Sequence, residues 1–276
     1  DHVKQVSRNG VNFIVTTTVR YVDDPYDGTA STTPSDLAPG DYKLVELNIN
    51  FSGRVPLSPL TYTSQFAYIY SETSTDKGSL FIQVVDAGGL PVESAAVRIT
   101  NASTSPTISI DDLTDNTGWY RLVETPPGTI SYRIFISKDG YSNDYTTSSK
   151  STNPNPSKLP ASVTSHHITT MSFAIDRVAG INFHTITSTC AAIPSTAFVM
   201  RGQKIIGSLP TVYKYNKKLT TDSDGLHSLS DVEWDTYTLS ATGTTYDIAG
   251  TIPLSPFFVL PNSSQDVSLI LSPHSA

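Results

Sequence analysis

The sequence is poor in the groups that staple, anchor or catalyse. It has one cysteine, Cys190, so no internal disulfide can form. Two Met and two Trp are present, and charged residues make up only 16% of 276 positions, below the common quarter. No apolar run reaches the ~18 residues that read as a membrane-spanning helix. No convincing 3.6-residue periodicity persists over a helix-length window. The G-x-S-x-G, H-E-x-x-H, phosphate-loop and dinucleotide-loop signatures are all missing. Acidic residues outnumber basic ones, 25 to 18, for a net charge of −7. That balance argues against a nucleic-acid partner and against a polybasic membrane patch.

What is present points to extended structure. Ser and Thr number 36 each, so hydroxyls do much of the solubilising that charges usually do. Apolar residues are 38%, enough for several small cores and too many for a disordered tail. Val11, Phe13, Val15, Val19 and Tyr21 alternate with Asn12, Thr16, Thr18 and Arg20. Val45, Leu47, Ile49 and Phe51 alternate with Glu46, Asn48 and Asn50, and similar alternation runs through Tyr132–Ile136 and Val267–Leu271. Period-two alternation buries one strand face and wets the other. Short strands punctuated by Gly, Pro and Asn-Asp turns predict β-sandwiches. The fold class is therefore all-β.

An internal repeat divides the chain. Thr114-Asp115-Asn116-Thr117-Gly118 returns as Thr221-Asp222-Ser223-Asp224-Gly225, 107 positions later. Leu122 then answers Leu229, Pro127-Gly128-Thr129 answers Trp234-Asp235-Thr236, and Ile130 answers Tyr237. Upstream, Gly89-Leu90-Pro91-Val92 loosely matches Ala192-Ile193-Pro194-Ser195. A repeat of this length predicts two copies of one domain rather than a solenoid, at 77–177 and 178–276. Residues 1–76 differ. They predict three strands, 11–22, 42–52 and 61–70, with a long loop at 23–41. Phe13, Val15, Val19, Val45, Leu47 and Ile49 should line one apolar face, which three strands alone cannot cover.

Two resemblances attach to these residues. The pattern D-x-x-G-x-P-V, then A-x-V, T-D-x-x-G and P-P-G, carried by Asp86, Gly89, Pro91, Val92, Val97, Thr114, Asp115, Gly118, Pro127 and Gly128, resembles carboxypeptidase regulatory-like, transthyretin-like β-sandwich domains. The resemblance covers 77–177, and more weakly 178–276, which lacks the first D-x-x-G. It implies Ig/transthyretin-like, non-catalytic modules. The stretch Val19-Arg20-Tyr21-Val22-Asp23-Asp24-Pro25-Tyr26-Asp27-Gly28, followed by Asp41-Tyr42-Lys43, resembles the globular part of prepilin-type minor pilins and pseudopilins. Tyr213–Tyr215, Leu219, Thr220–Asp222 and Glu233–Tyr237 are similar to the C-terminal part of the same proteins. That resemblance implies a pilin-like antiparallel sheet at 1–76, an extracellular subunit of a type IV pilus-like fibre, other pilin-like subunits as partners, and a host-cell or glycan surface as a target. The family's apolar N-terminal helix would lie upstream of Asp1. It would be the one link to a membrane, and either it or the domain at 77–177 would cover the strands of 1–76.

Candidate sites are few. Asp23, Asp24 and Asp27 fall within five residues, as hard cations prefer. They suit calcium, the one cofactor the chain suggests, or else form a solvated acidic turn. Adjacent strand residues point to opposite faces, so His166-His167 is a poor metal pair, and Cys190, with His184 six positions before it, lacks a nucleophile signature. Trp119 and Trp234 close sandwich ends or stack on sugars. Some bacterial surface sandwiches similar to these carry Lys–Asn isopeptide bonds. Lys77 and Asp176 are the nearest candidates, but Lys77 lies outside the apolar run Leu80–Val85. No catalytic residue is assigned and no enzymatic activity is expected. Alternatives are a carbohydrate-binding or phage-tail-like recognition module, and the accessory region of a secreted hydrolase.

Overall fold

The computed structural model describes residues 2–8, 11–24, 41–52, 59–67 and 76–274. Every regular element among them is a β-strand, so the all-β expectation holds. No helix among the described residues is long and apolar enough to cross a membrane.

The N-terminal unit is a four-stranded antiparallel meander of β1 (His2–Arg8), β2 (Val11–Val22), β3 (Tyr42–Ser52) and β4 (Leu60–Ala67) in that spatial order. It has one strand more than the three anticipated. The extra strand, β1, mixes Val3 and Val6 with Lys4 and Gln5 and so gives little period-two signal. The anticipated strand 61–70 is Leu60–Ala67, and 68–70 lie outside the described residues. Register pairs Phe13 with Phe51, Val15 with Ile49 and Val19 with Val45, then Leu47 with Tyr62 and Ile49 with Leu60. The six anticipated side chains therefore share one face with Phe51, Leu60 and Tyr62. None of the unit's described side chains is buried. Phe13 and Leu47 are half-buried, while Val19 and Tyr62 are 55% and 59% exposed.

The first sandwich comprises β5 (Gly78–Val85), β6 (Ala96–Asn101), β7 (Ile108–Leu113), β8 (Trp119–Thr125), β9 (Gly128–Ser137), β10 (Asp144–Tyr145), β12 (Ala161–Val163) and β13 (Ile168–Ala174), with β11 (Asn155–Pro156) projecting from it. One sheet runs β13-β5-β8. The other runs β7-β6-β9, with β10 and β12 both on the far edge of β9. β5 and β13 are parallel, and the rest of the ladders are antiparallel. The core is Leu80, Ile82, Val84, Val97, Ile99, Tyr132, Ile134, Ile136, Phe173 and Ile175 with smaller neighbours, all at most 5% exposed. β5 reads Gly-Ser-Leu-Phe-Ile-Gln-Val-Val, a near-continuous apolar run: Leu80, Ile82 and Val84 enter the core, and Phe81 on the other face is covered by Trp119 and Arg121.

The second sandwich comprises β14 (Ala179–Ile186), β15 (Ala197–Gly202), β18 (Asn216–Thr220), β19 (Leu226–Val232), β20 (Asp235–Ala241), β21 (Tyr246–Ile252), β22 (Phe257–Val259) and β23 (Ser264–Pro273). A small hairpin, β16 (Ile205–Ser208) with β17 (Val212–Tyr213), stands out between β15 and β18. The sheets run β19-β14-β23-β21 and β18-β15-β20-β22. Without β21 in this copy and β10 in the first, the two strand orders are the same, including the parallel pairing of first and last strands. Phe183, Phe198, Met200, Tyr237, Val259, Val267 and Leu269 form the core of this copy.

Candidate functional site

The repeated turns are structurally equivalent corners. In each, the Gly N–H donates to the Asp carbonyl, 2.9 Å for Gly118 and 3.2 Å for Gly225, and φ is +75° and +74°. The Gly carbonyl accepts from the first strand, from Val84 N–H in one copy and Thr185 N–H in the other. A Cβ at Gly118 would lie 2.5 Å from Val84 O, and one at Gly225 2.9 Å from Thr185 O. Glycine is required by both φ and space. Asp115 accepts from the N–H groups of Thr117 and Trp119, the Thr117 hydroxyl and the Arg121 guanidinium. Partial burial pulls its carboxyl upward, but these donors outweigh that and hold it below the usual carboxylate range.

Two sequence alignments need correction. Gly89 answers Cys190, not Ala192. Asp86 Oδ1 accepts from Gly88 and Leu90, and Thr187 Oγ1 accepts from Thr189 and Ala191 in the same pattern. Both fourth residues have positive φ, +81° at Gly89 and +64° at Cys190. The D-x-x-G turn is therefore present in both copies, written Thr-Ser-Thr-Cys in the second, and a hydroxyl replacing a carboxylate hid it. Similarly Tyr237 answers Tyr132, not Ile130, because the link into β20 is two residues shorter. Both phenols are buried and donate to a backbone carbonyl behind them, of Pro126 at 2.5 Å and of Glu233 at 2.7 Å. Burial first, then the Asp235 and Glu233 carboxylates, push the Tyr237 phenol far up.

The densest polar constellation lies where the sandwiches meet. β11 pairs antiparallel with β16, Asn155 with Ser208 and Pro156 with Gly207, so a strand of one sandwich extends the hairpin of the other. Asn153 is 1% exposed and its amide donates to Ile206 O at 3.0 Å. Gly207 has no room for a side chain, since a Cβ would come 1.9 Å from Asn153 Oδ1. Ser157 N–H also reaches Ile206 O, and Lys214 Nζ reaches Asn143 O at 2.6 Å. Glu233 accepts from Lys204 and Lys214, each at 2.7 Å, and Lys204 Nζ lies 3.2 Å from the centroid of the Trp234 ring. Burial lowers the Lys204 ammonium, with Glu233 opposing. No sequence rule reached Asn153 or Gly207. The only signal was the Asn-Pro-Asn-Pro run, a turn signature.

The residues singled out by sequence are not brought together. Asp24 N–H donates to the Asp41 carboxylate, closing the base of the 23–41 segment, and Asp27 lies outside the described residues. Among the described residues no three His, Cys, Asp or Glu side chains converge. His166 has φ +58° in a turn whose N–H bonds Lys77 O, and the His167 ring meets Ser165 O. Cys190 is exposed at its turn. Trp119 packs edge-on against Phe81, and Trp234 lies under Lys204 at the junction. Lys77 and Asp176 stand at opposite ends of β5 and β13, because those strands are parallel, and Lys77 pairs instead with Glu124. An isopeptide between them is geometrically excluded.

No protein-family profile matches the chain, and no curated protein matches it. Among solved structures it is similar to the Bacillus anthracis TIE protein, at 13% identity and TM-score 0.28 over 99% of this chain. The chain spans 58% of that structure's length. It is also similar to a streptococcal ancillary pilin, at 12% identity and TM-score 0.30 over 83% of this chain and 75% of that one. The minor pilin of Streptococcus agalactiae matches at 11% identity and TM-score 0.31, over 72% and 97%. At TM-scores near 0.3 these likenesses do not extend to function.

Proposed function

We propose that the chain is a non-catalytic, extracellular subunit of a pilus-like surface fibre, built of three units, 1–76, 77–177 and 178–276, and serving attachment or fibre structure. The junction carries this reading. Two sandwiches of one strand order are tied by the β11–β16 ladder and by the buried Asn153. Backbone hydrogen bonds across such a joint share tension among several bonds, which suits a protein that spans distance. The N-terminal sheet offers an apolar face, as an assembling subunit needs. The type IV form of the reading rests on the prepilin-like residues 19–28 and 41–43. The calcium reading of Asp23, Asp24 and Asp27 belongs to the same proposal, and calorimetric titration of the chain with calcium tests it by heat or silence.

The deciding experiment is surface shearing of the native host, followed by detection of the full gene product with an antibody to residues 77–276. The expected result is a sheared fibre fraction that falls to monomers in detergent, as a non-covalent pilin-like fibre does. A detergent-resistant ladder would keep the fibre and remove the type IV form. Recovery only from the cell interior would remove the proposal.

A further inference from the structure

The outer face of the β7-β6-β9-β10 sheet carries a feature that neither the core nor the junction explains. Strand alternation turns Arg98 of β6, and Arg133 and Phe135 of β9, outward, while Ile99, Ile134 and Ile136 go to the core. Register sets Arg98 beside Phe135, Thr100 beside Arg133, and Tyr145 of β10 beside Phe135. The Phe135 and Tyr145 rings stack, with centroids 6.0 Å apart and planes 23° apart. Phe135 stays 40% exposed even with the Tyr145 ring stacked on it. Together these side chains line a hollow of about 360 Å³.

The charges there are incompletely matched. Arg98 has a long ion pair to Asp111 at 3.5 Å. Arg133 has no hydrogen-bond or ion-pair partner among the described residues. A guanidinium with open donors on a protein of net charge −7 is a specific local inversion of sign, and its planar fork matches a carboxylate in two bonds at once. Beside it, the Phe135 and Tyr145 rings offer apolar surface, and Thr100 and Thr146 line the same hollow. Tyr145 also lines the cleft between the sandwiches, about 280 Å³, where Lys204 and Trp234 repeat the pairing of cation and aromatic ring. The hollow and the cleft thus adjoin through one residue.

From this geometry we infer that the sheet face at Arg98, Arg133, Phe135 and Tyr145 is a binding site for a linear acidic polysaccharide, one carboxylated sugar sitting on the rings with its carboxylate on Arg133. A neutral glycan would leave the guanidinium unmatched, and an inorganic anion would leave the rings unused. The inference rests on the attachment reading above and gives it a ligand class. Its failure would leave the fibre reading standing, since shearing reports location and assembly without reference to sugars.

The test is calorimetry and amide-shift mapping on the whole chain with tetragalacturonate, against the fully methyl-esterified tetrasaccharide. The acid should bind and shift residues of β6, β9 and β10. The neutral ester should bind at least about tenfold more weakly, the loss expected for one charge-assisted pair. Arg133→Gln should lose a similar factor, Phe135→Ser should also weaken binding, and Lys218→Gln, on the second sandwich, should not. Both site residues are exposed on the outer face, so folding is checked by the unchanged amide dispersion of the core. Equal affinity for acid and ester, or unchanged binding in Arg133→Gln, would overturn the inference. Equally tight binding of an oligothymidylate through the same arginine would also overturn it, by making the site a general polyanion surface.

Discussion

The two sandwiches share a frame and part company in one segment. In the second, residues 246–252 form β21 and run antiparallel along β23, pairing Ile252 with Ser268 and Gly250 with Ile270. In the first, the equivalent edge of β13 has no strand beside it. Its outward groups are met by side chains instead: Lys158 Nζ donates to Ser172 O at 3.1 Å, Ala174 N–H donates to Asp144 Oδ2 at 3.0 Å, and Asp176 N–H donates to Ser142 Oγ at 3.3 Å. Lys158 and Asp144 also pair with each other, at 2.5 Å. Three side chains, with the Ser142 N–H on Asp176 O, thus meet at one copy's edge the groups that a strand meets in the other. The backbone released from that edge supplies β10 and then β11, which reaches across to the second sandwich. A repeat can keep its core and spend one segment differently, provided every exposed ladder group still finds a partner.

The sharpest way to break the equivalence is at the two turn glycines. Gly118→Ala forces a Cβ to 2.5 Å from Val84 O at a φ of +75°, and should destabilise the first sandwich by about 3 kcal/mol or more, combining left-handed strain with a backbone clash. Gly225→Ala meets its nearest oxygen at 2.9 Å and should cost about 2 kcal/mol. Denaturant melts of the two variants, read by Trp119 and Trp234 fluorescence respectively, check the order. A larger effect at Gly225 would show that the corners are not equivalent. Next in size, Gly207→Ala strikes the junction alone. It should separate one cooperative melt into two while leaving each sandwich's own midpoint nearly unchanged. With Asn153→Ala added, the clash partner is gone, so the double variant should lose about 1 kcal/mol or more less than the sum of the singles. Strict additivity would deny that Asn153 is what Gly207 makes room for.

Legibility followed the same division. Strand alternation and the Thr-Asp-x-x-Gly corners are visible because they obey local rules, a period of two and a glycine at positive φ. The apolar face of the N-terminal sheet was likewise visible in Phe13, Val15, Leu47 and Ile49, although β1 was not, because its short mixed sequence serves two solvent-accessible faces. The counterpart of Gly89 was missed because Thr187 caps its turn as Asp86 does and Cys190 tolerates the left-handed conformation, so the chemistry persists under different letters. Gly207, Arg98 and Arg133 left no signal, and Asn153 left only the turn signature of the Asn-Pro-Asn-Pro run. Their meaning comes from register and from what another sandwich or strand brings beside them, neither of which a single chain pattern encodes.

That difference of letters predicts a smaller effect. Cys190 pays for a φ of +64° that Gly89 adopts freely at +81°. Cys190→Gly should therefore stabilise the second sandwich by about 1 kcal/mol, offset slightly by the added freedom of the unfolded chain. A Cβ at Gly89 would meet nothing within 4 Å, so Gly89→Cys should cost the first sandwich the same strain and nothing more. Thermal melts of the pair should shift in opposite directions by similar amounts. Shifts of the same sign would mean that the two turns are not interchangeable.

The smallest expected effect separates the copies by pH. Asp115 is held below the usual carboxylate range when folded. A carboxyl lowered by folding contributes stability above its unfolded pKa and loses it as pH falls through its folded value. The first sandwich should therefore carry an acid-sensitive increment, full at neutral pH and lost below about pH 4. The carboxylate and Arg121 are both well exposed, 36% and 40% at the side chain, so solvent screening keeps the increment under about 1 kcal/mol. In the second sandwich the place of Arg121 is taken by Ser228, and Asp222 accepts two backbone N–H groups with no guanidinium beside them. Asp115→Asn should flatten the stability difference between pH 7 and pH 3 for the first sandwich, and high salt should reduce the wild-type increment because part of it is the exposed ion pair. An unchanged pH slope in Asp115→Asn would mean that the acid loss arises elsewhere, and that the ring of donors around Asp115 fixes the turn's shape without setting its response to protons.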